Sequence, residues 1–312
     1  MNVYEFVDVE KRYKDNVAVK DISFQISEGS IVGFVGKNGS GKTTILRMMG
    51  NLLIPSSGKI YFKGKDFHEN SSDLLQKIGI FLDPERSLYW RLTGIENLQR
   101  IMQLKDVSLP EGMKQIENFL EKAGMKKAIK QAVRTYSKGM KAKILLAACF
   151  IGSPEVLLLD EPFEGLDFQS KKIVMDYLKA YKKAGGTIIM TAHNLVDIQT
   201  LCDKVFWFDQ GKLLMEGAPE KLVNYIAGEG VIRIISNQIE NIVESVSKAD
   251  FSFQKQIIEE DSLYILSEHL GEDFIRLKEC IDASQSSIEL HVKGLEDLYF
   301  FHERTDMYEK TI

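Results

Sequence analysis

Apolar and polar residues alternate over Val3 to Val9 and again over Ala18 to Ile26. Ser27, Glu28 and Gly29 then form a turn before a run that is apolar throughout, Ile31 to Val35. Alternation predicts half-buried strands, and an unbroken apolar run bounded by turn residues predicts a strand buried on both faces. Farther on, Ile45, Leu46, Met48, Met49 and Leu52 share one helix face, which Pro55, Ser56, Ser57 and Gly58 end. Short strands are expected at Lys59–Phe62 and Ile78–Leu82. From Gly94 to Ile151 the period is helical, with Met113, Ile116, Leu120 and Ala123 on one face. Tyr136 to Met140 interrupts it, and Ser137 stands at an N-cap position ahead of Ile144, Leu145, Ala148 and Phe150. Val156–Leu159 and Thr187–Met190 are further doubly buried strands, separated by a helix over Ile173–Tyr181 that Gly185 and Gly186 stop. Lys204–Phe208 and Lys212–Met215 flank Asp209, Gln210 and Gly211 as a hairpin.

After Gly228 to Gly230 the composition shifts. Strands at Val231–Ile235, near Phe251–Ile258, at Leu263–Leu266 and at Ile288–Val292, with helices at Ile239–Val246 and Glu272–Ile281, outline a small βαββαβ unit. The chain therefore divides into a large α/β domain over 1–228 and an accessory α+β domain over 229–312, dimerising or regulatory in character.

The 312-residue length suits one large domain and one smaller one. With 44% apolar residues and no run near the ~18 that a membrane span needs, the expectation is an ordinary globular chain. The first ten residues carry acidic groups where a signal peptide would be basic and then apolar, which predicts a cytosolic protein. A net charge of −5 without a dense Lys/Arg tract argues against nucleic-acid binding as the main activity. Cys149, Cys202 and Cys280 lie far apart in apolar patterns, without zinc-ligand spacing.

The chemistry concentrates at Gly36-Lys-Asn-Gly-Ser-Gly-Lys-Thr-Thr44, between a buried strand and a helix. Gly36, Gly41, Lys42 and Thr43 match the phosphate-binding loop pattern, with Asn38, Gly39, Ser40 and Thr44 completing the loop. Glycines let the backbone wrap an anion in conformations that a Cβ forbids, and the helix that follows points its positive dipole end at the same oxygens. Lys42 is placed to reach the β and γ phosphates, and the Thr43 hydroxyl to coordinate Mg²⁺. Asp160 and Glu161 end a buried strand, at the carboxyl edge where parallel α/β sheets bind ligands. Asp160 suits Mg²⁺, directly or through water, and Glu161 suits orienting or deprotonating an attacking water. His193 lies beyond the same edge and is a candidate γ-phosphate contact. Tyr13, ahead of the loop, either stacks on a purine or packs at a strand end. The loop from Asp83 to Thr93 interleaves Tyr89 and Trp90 with Arg86 and Arg91, as a surface loop or a partner-docking surface.

Taken in order, these residues resemble the nucleotide-binding subunit of ATP-binding-cassette transporters over about residues 3–227. Gly36–Thr43 resembles Walker A, and Ser137-Lys-Gly-Met140 stands where the family has its signature. Leu157–Glu161 resembles Walker B with the catalytic glutamate, Gly165-Leu-Asp167 the loop that crosses the dimer, and His193 the switch histidine. The resemblance implies a P-loop NTPase fold of the ABC-ATPase type: a RecA-like mixed-sheet core, an antiparallel β subdomain and a helical subdomain at about 84–152. It implies that adenine stacks on Tyr13 and that ATP and Mg²⁺ are the ligands. Lys42, Glu161 and His193 would be the catalytic groups, and Ser137 and Gly139 would meet the γ-phosphate across a dimer. The chain departs from the family at Lys138 and Met140, and at Asp83, which replaces a glutamine that senses Mg²⁺ and the membrane subunit. An Asp can still ligate Mg²⁺, so Asp83 joins Thr43 and Asp160 as a metal candidate. The run Leu88 to Thr93 resembles the drug-exporter and ABC-2-type branches.

The implied partners are a second copy of the chain, sandwiching two ATP, and separate permease subunits met through the loop around Trp90. This places the protein on the inner face of the membrane. The alternative is a soluble cassette ATPase acting on ribosomes or DNA, although such relatives usually carry two cassettes or long coiled-coil insertions. An unrelated phosphate-loop kinase or GTPase is disfavoured by the helical insert between Lys42 and Asp160 and by the lack of a guanine-reading Asn-Lys-x-Asp motif.

Overall fold

A computed structural model describes residues 1–14, 16–69, 74–223, 230–248, 255–259, 261–267, 269–281, 286–292, 294–297 and 299–300. Two compact units, Met1–Gly217 and Ala218–Ile312, divide the chain. The composition shift places the boundary later, beyond 228, and residues 224–229 lie outside the described ones. Among the described residues no helix is long and apolar enough to cross a membrane.

The first unit holds two sheets. Strands β1 (Asn2–Tyr13), β2 (Asn16–Ser27), β4 (Ser57–Phe62) and β5 (Lys65–Asp66) form an antiparallel sheet in the order β2-β1-β4-β5. The second sheet runs β10-β9-β3-β8-β7-β6, from β3 (Ile31–Val35), β6 (Ile78–Phe81), β7 (Val156–Asp160), β8 (Thr187–Thr191), β9 (Lys204–Asp209) and β10 (Lys212–Gly217). Its strands pair in parallel except for the β9–β10 hairpin. The continuous apolar runs behave as expected, with every residue of β3 and β8 buried.

Helix α1 (Lys42–Met49) follows β3, and one apolar core joins it to both sheets. Ile45, Leu46, Met48 and Met49 are buried with Tyr4, Phe6 and Phe24 of the antiparallel sheet and with Phe34, Phe206 and Phe208 of the parallel one. Phe24 stacks on Phe6 at 4.4 Å and contacts Phe206 at 4.9 Å between ring centroids. The buried Tyr4 hydroxyl donates to the Met49 carbonyl at 2.7 Å, satisfying one of the acceptors that a helix end leaves open. Burial pushes the Tyr4 hydroxyl pKa well up, so it stays a donor.

The helical insert comprises α2 (Pro84–Ser87), α3 (Gly94–Leu104), α4 (Leu109–Lys122) and α5 (Lys138–Cys149), with 3-10 turns at Ala128–Lys130 and Val133–Thr135. The helical period over Gly94–Ile151 is thus three helices, broken where Gly124 and Asp106 take positive φ. Thr93 caps α3 in a reciprocal box with Glu96. Helices α6 (Phe168–Lys183) and α7 (Leu195–Leu201) complete the unit. The pattern reading missed α7, although Asn194 caps it by accepting from the Val196 and Asp197 amides.

In the second unit, α8 (Pro219–Val223) precedes a βαββαβ arrangement. It consists of β11 (Gly230–Ser236), α9 (Ile239–Lys248), β12 (Lys255–Glu259), β13 (Ser262–Ser267), α10 (Leu270–Cys280) and β14 (Ser286–Val292). The sheet is antiparallel in the order β12-β13-β11-β14, the split arrangement in which each helix crosses over one intervening strand. The alternation along β11 predicts this, since Ile232 and Ile234 enter a core with Ile242, Leu263, Ile265 and Leu277. Phe251, expected to open a strand, lies outside the described residues.

Strand β6 lies directly on the end of α5. A Cβ at Gly79 would stand 2.2 Å from the Cys149 carbonyl oxygen and 2.6 Å from a Leu157 methyl. Gly79→Ala is expected to lower stability by about 1–3 kcal/mol, the usual penalty of overpacking a core, read as a fall in melting temperature.

Candidate active site

The phosphate loop takes its shape from glycine. Gly36, Gly39 and Gly41 all have positive φ, at 142°, 82° and 104°. At Gly36 a Cβ would lie 2.0 Å from the Phe208 carbonyl oxygen, so the end of β9 occupies the space a side chain would need. The β9–β10 turn buttresses the loop, because the Gly211 amide donates to the Ser40 carbonyl and the Gly211 carbonyl accepts from the Lys20 amide. The left-handed Gly41 starts α1 at Lys42, three residues before the apolar face begins at Ile45. Lys42, Thr43 and Thr44 therefore sit in the first helical turn, where the helix dipole favours anions.

Lys42 Nζ donates to the Gly36 and Lys37 carbonyls at 2.6 and 2.8 Å. Burial lowers its pKa, opposed by the charges of Glu161 and Asp160. Thr43 Oγ1 donates to Asp160 Oδ2 at 3.0 Å, which joins the loop to the end of β7. Glu161 follows with φ 56°, and its carboxylate oxygen lies 2.9 Å from His193 Nε2. Burial raises the Glu161 pKa; His193 opposes that rise, and the neighbouring Asp160 and Glu164 carboxylates add to it.

A cleft of about 490 Å³ opens over Lys42, Thr43 and Glu161, while His193 lines a neighbouring hollow on the other side of Glu161 and Asp160 lines neither. Tyr13, Asn38, Gly39, Gly41, Lys42, Thr43, Thr44 and Glu161 line the cleft, so eight of the expected site residues share one wall system. Its volume is in the range of small-molecule sites, about 300–1,000 Å³. Tyr13 is 41% exposed, with Lys11 Nζ 5.3 Å from its ring centroid, so its free face is available for stacking. Asn16, Lys20 and Gln210 also line the cleft. Sequence reasoning missed them, although Gln210 sits in the hairpin turn it expected.

Ser137 and Gly139 are not among the residues lining this cleft. Ser137 caps α5 by accepting from the Met140 amide at 3.2 Å, as its position predicts. Gly139 packs on the loop after Glu161, where a Cβ would lie 2.7 Å from the Gly165 carbonyl oxygen. Lys138 pairs with Glu164 of the same loop at 2.7 Å. Asp83, a metal candidate by sequence, is not among the residues lining this cleft. It follows the edge strand β6, adopts φ 44°, and directs its carboxylate to Arg86 at 3.4 Å.

The residues present fit a magnesium–nucleotide complex. The glycine cradle would be closed by any Cβ at Gly36, Lys42 supplies a fixed cation, and Thr43 and Asp160 offer the hard oxygen donors that Mg²⁺ prefers. Fold and site together define a P-loop nucleoside-triphosphate-binding protein.

Comparison with known proteins narrows the class. Residues 19–164 match the family described as ABC transporter. The ABC transporter ATP-binding protein NatA of Bacillus subtilis is 35% identical over 241 residues, 73% of this chain and 98% of NatA. The linearmycin resistance ATP-binding protein LnrL of the same organism is 32% identical, covering 73% of each chain. The Nod factor export ATP-binding protein I of Cupriavidus metallidurans is 28% identical over 78% of this chain and 80% of its own. Among solved structures, an ATP-binding subunit of an ABC transporter superposes with a TM-score of 0.66 at 23% identity, over 72% of this chain and 92% of its own. The cassette MJ0796, as a dimer with ADP and Pi, gives a TM-score of 0.63 at 23% identity, over 69% of this chain and 98% of its own. The chain belongs to the ATP-binding proteins of ABC transporters, which are ATPases.

Gly36→Ala is expected to displace the loop from Phe208 and weaken nucleotide binding by tenfold or more, about 1.4 kcal/mol, read by titration with a fluorescent ATP analogue.

Proposed function

We propose that this ATPase subunit closes with a second copy of itself over two ATP and drives a separate permease, for export. The observation that carries the ATPase reading is the Thr43–Asp160 hydrogen bond at 3.0 Å, with Glu161 and His193 in contact beside it. Lys42 and the loop amides stabilise phosphate charge, and Thr43 and Asp160 hold Mg²⁺, which when bound offsets the negative charge of the transferring phosphoryl group. Glu161 accepts the proton of the attacking water, His193 contacts the γ-phosphate, and Tyr13 stacks on adenine. Asp83, two residues past β6, stays a third candidate for the Mg²⁺ shell, since its exposed pair with Arg86 at 3.4 Å is too weak to hold the carboxylate there.

The dimer reading is supported by Ser137 and Gly139, which sit at the N-terminus of α5 and do not line the cleft, and by the dimeric state of MJ0796. Those two residues then meet the nucleotide held by the partner. Export is supported by the likeness to the Nod factor export ATP-binding protein I. The permease would dock on the loop around Trp90. There Tyr89 and Trp90 are 57% and 56% exposed, with Arg100 over Tyr89 and Arg91 over Trp90. Asn97 pins that backbone by accepting from the Tyr89 amide and donating to its carbonyl, so the two rings stand out from a fixed frame.

Glu161→Gln is expected to lower turnover by about 10²–10⁴-fold, the range for losing a general base, while ATP binding persists. Light scattering would then show an ATP-dependent dimer, and wild-type turnover would remove Glu161 from this role. Because burial raises its pKa, Glu161 is an active base only above that raised value. The wild-type rate should therefore fall with decreasing pH, at a midpoint above the ordinary carboxylate value of 4.5. Replacing Tyr89 and Trp90 by alanine should reduce recovery of the chain with membranes and leave its ATP affinity unchanged.

A further inference from the structure

Thr191 ends β8 directly opposite Asp160 in the parallel pairing with β7, and it is 1% exposed. Its hydroxyl donates to Asp160 Oδ1 at 2.6 Å and accepts from the Glu161 amide at 3.0 Å. The other Asp160 oxygen, Oδ2, accepts from Thr43. The carboxylate is thus held at both oxygens, and turning it would break two hydrogen bonds at once. Glu161 keeps a left-handed φ of 56°, a conformation that persists in a non-glycine residue only when its surroundings hold it there. The bond from its amide to Thr191 is one such restraint.

Two residues on, His193 Nε2 lies 2.9 Å from the Glu161 carboxylate. One short segment therefore grips residues 160 and 161 at three points: the Asp160 carboxylate, the Glu161 amide and the Glu161 side chain. Packing alone would be satisfied by valine, which has the same branched shape and fits a buried strand end equally well. The hydroxyl is the part that packing does not require.

We propose that Thr191 is a positioning residue for ATP hydrolysis. It fixes the Asp160 carboxylate so that Oδ2 faces Thr43, and it fixes the backbone of Glu161 so that the carboxylate lies at the cleft. The proposal rests on the roles given above to Asp160 and Glu161. Thr191 does not line the cleft itself, so its influence passes through those two residues. Outer partners of metal-holding and catalytic groups typically govern about 10–100-fold in metal affinity or activity.

The test uses the full-length chain with three substitutions. Thr191→Val keeps the shape and removes the hydroxyl, Thr191→Ser keeps the hydroxyl and removes the methyl, and Thr191→Ala replaces the valine variant if that one melts early. Steady-state ATPase assays are run against ATP and against Mg²⁺. The expected result for valine, or alanine in its place, is a kcat about 10–100-fold lower and a higher half-saturating Mg²⁺, with KM for ATP within about threefold of wild type. Serine should restore kcat to within about threefold of wild type, because its hydroxyl can make the same two bonds. Wild-type kcat and Mg²⁺ dependence in the hydroxyl-free variant would overturn the proposal, as would a serine variant as impaired as valine. Glu161→Gln, assayed alongside, separates the two levels of the reading. If it is inactive while the hydroxyl-free variant is fully active, only the assignment to Thr191 fails; if it too is fully active, the roles beneath that assignment fail.

Discussion

The site depends on one constraint: a protein backbone must hold a concave, anion-facing shape that ordinary side chains would close. The free energy to impose it comes from burial around the loop. The apolar face of α1 sits in a core shared by both sheets, and the Tyr4 hydroxyl ties the far end of the helix to β1. The near end is set by Gly41, and the loop between is buttressed by Phe208 and by the turn at Gly211. Each of three parallel strands then contributes two residues at its carboxyl end: Lys42 and Thr43 in the helix after β3, Asp160 and Glu161 at the end of β7, and Thr191 and His193 at the end of β8. Parallel pairing brings these ends to the same edge, which is why residues more than a hundred positions apart in sequence touch.

What the sequence made legible follows from how strongly each requirement narrows the choice of residue. A loop that needs three positive φ angles is spelled with glycine, so Gly36, Gly39 and Gly41 stand out. A strand buried on both faces is spelled with unbroken apolar residues, so Asp160 and Glu161 stand out against Val156–Leu159. The small second unit was legible from its alternating periods. Thr191 was not, because threonine is an ordinary strand residue and its role appears only once β7 lies beside β8. Asn16 and Lys20 were hidden for the same reason, as their cleft-facing position depends on how the antiparallel sheet meets the loop. The short helix at Leu195–Leu201 spans too few residues for its period to emerge.

At Asp83 residue type and local geometry carry different information. By type it could ligate a metal, and in resemblance it occupies a place associated with one. Its carboxylate lies 3.4 Å from Arg86 beside a left-handed turn, after the edge strand of the sheet. Residue type tells what a group can bind, but the local backbone decides where it points. For an exposed pair such as this the Coulomb gain is small, about 0–1 kcal/mol, so it marks a direction more than it supplies stability.

The loop from Glu161 to Asp167 joins the two segments given separate roles in the proposed dimer. It begins at the residue assigned to act on the nucleotide in its own chain. It ends at Asp167, whose carboxylate caps α6 through the Ser170 amide. Between them, Gly165 lies so close to Gly139 that a single Cβ at Gly139 would meet its carbonyl oxygen at 2.7 Å, and Lys138 is paired to Glu164. The segment assigned to the partner's nucleotide and the segment assigned to the chain's own are therefore packed backbone against backbone. Packed interiors shift between discrete arrangements more readily than they deform. The N-terminus of α5 and the loop that begins at Glu161 are thus held to each other by a backbone contact and an ion pair.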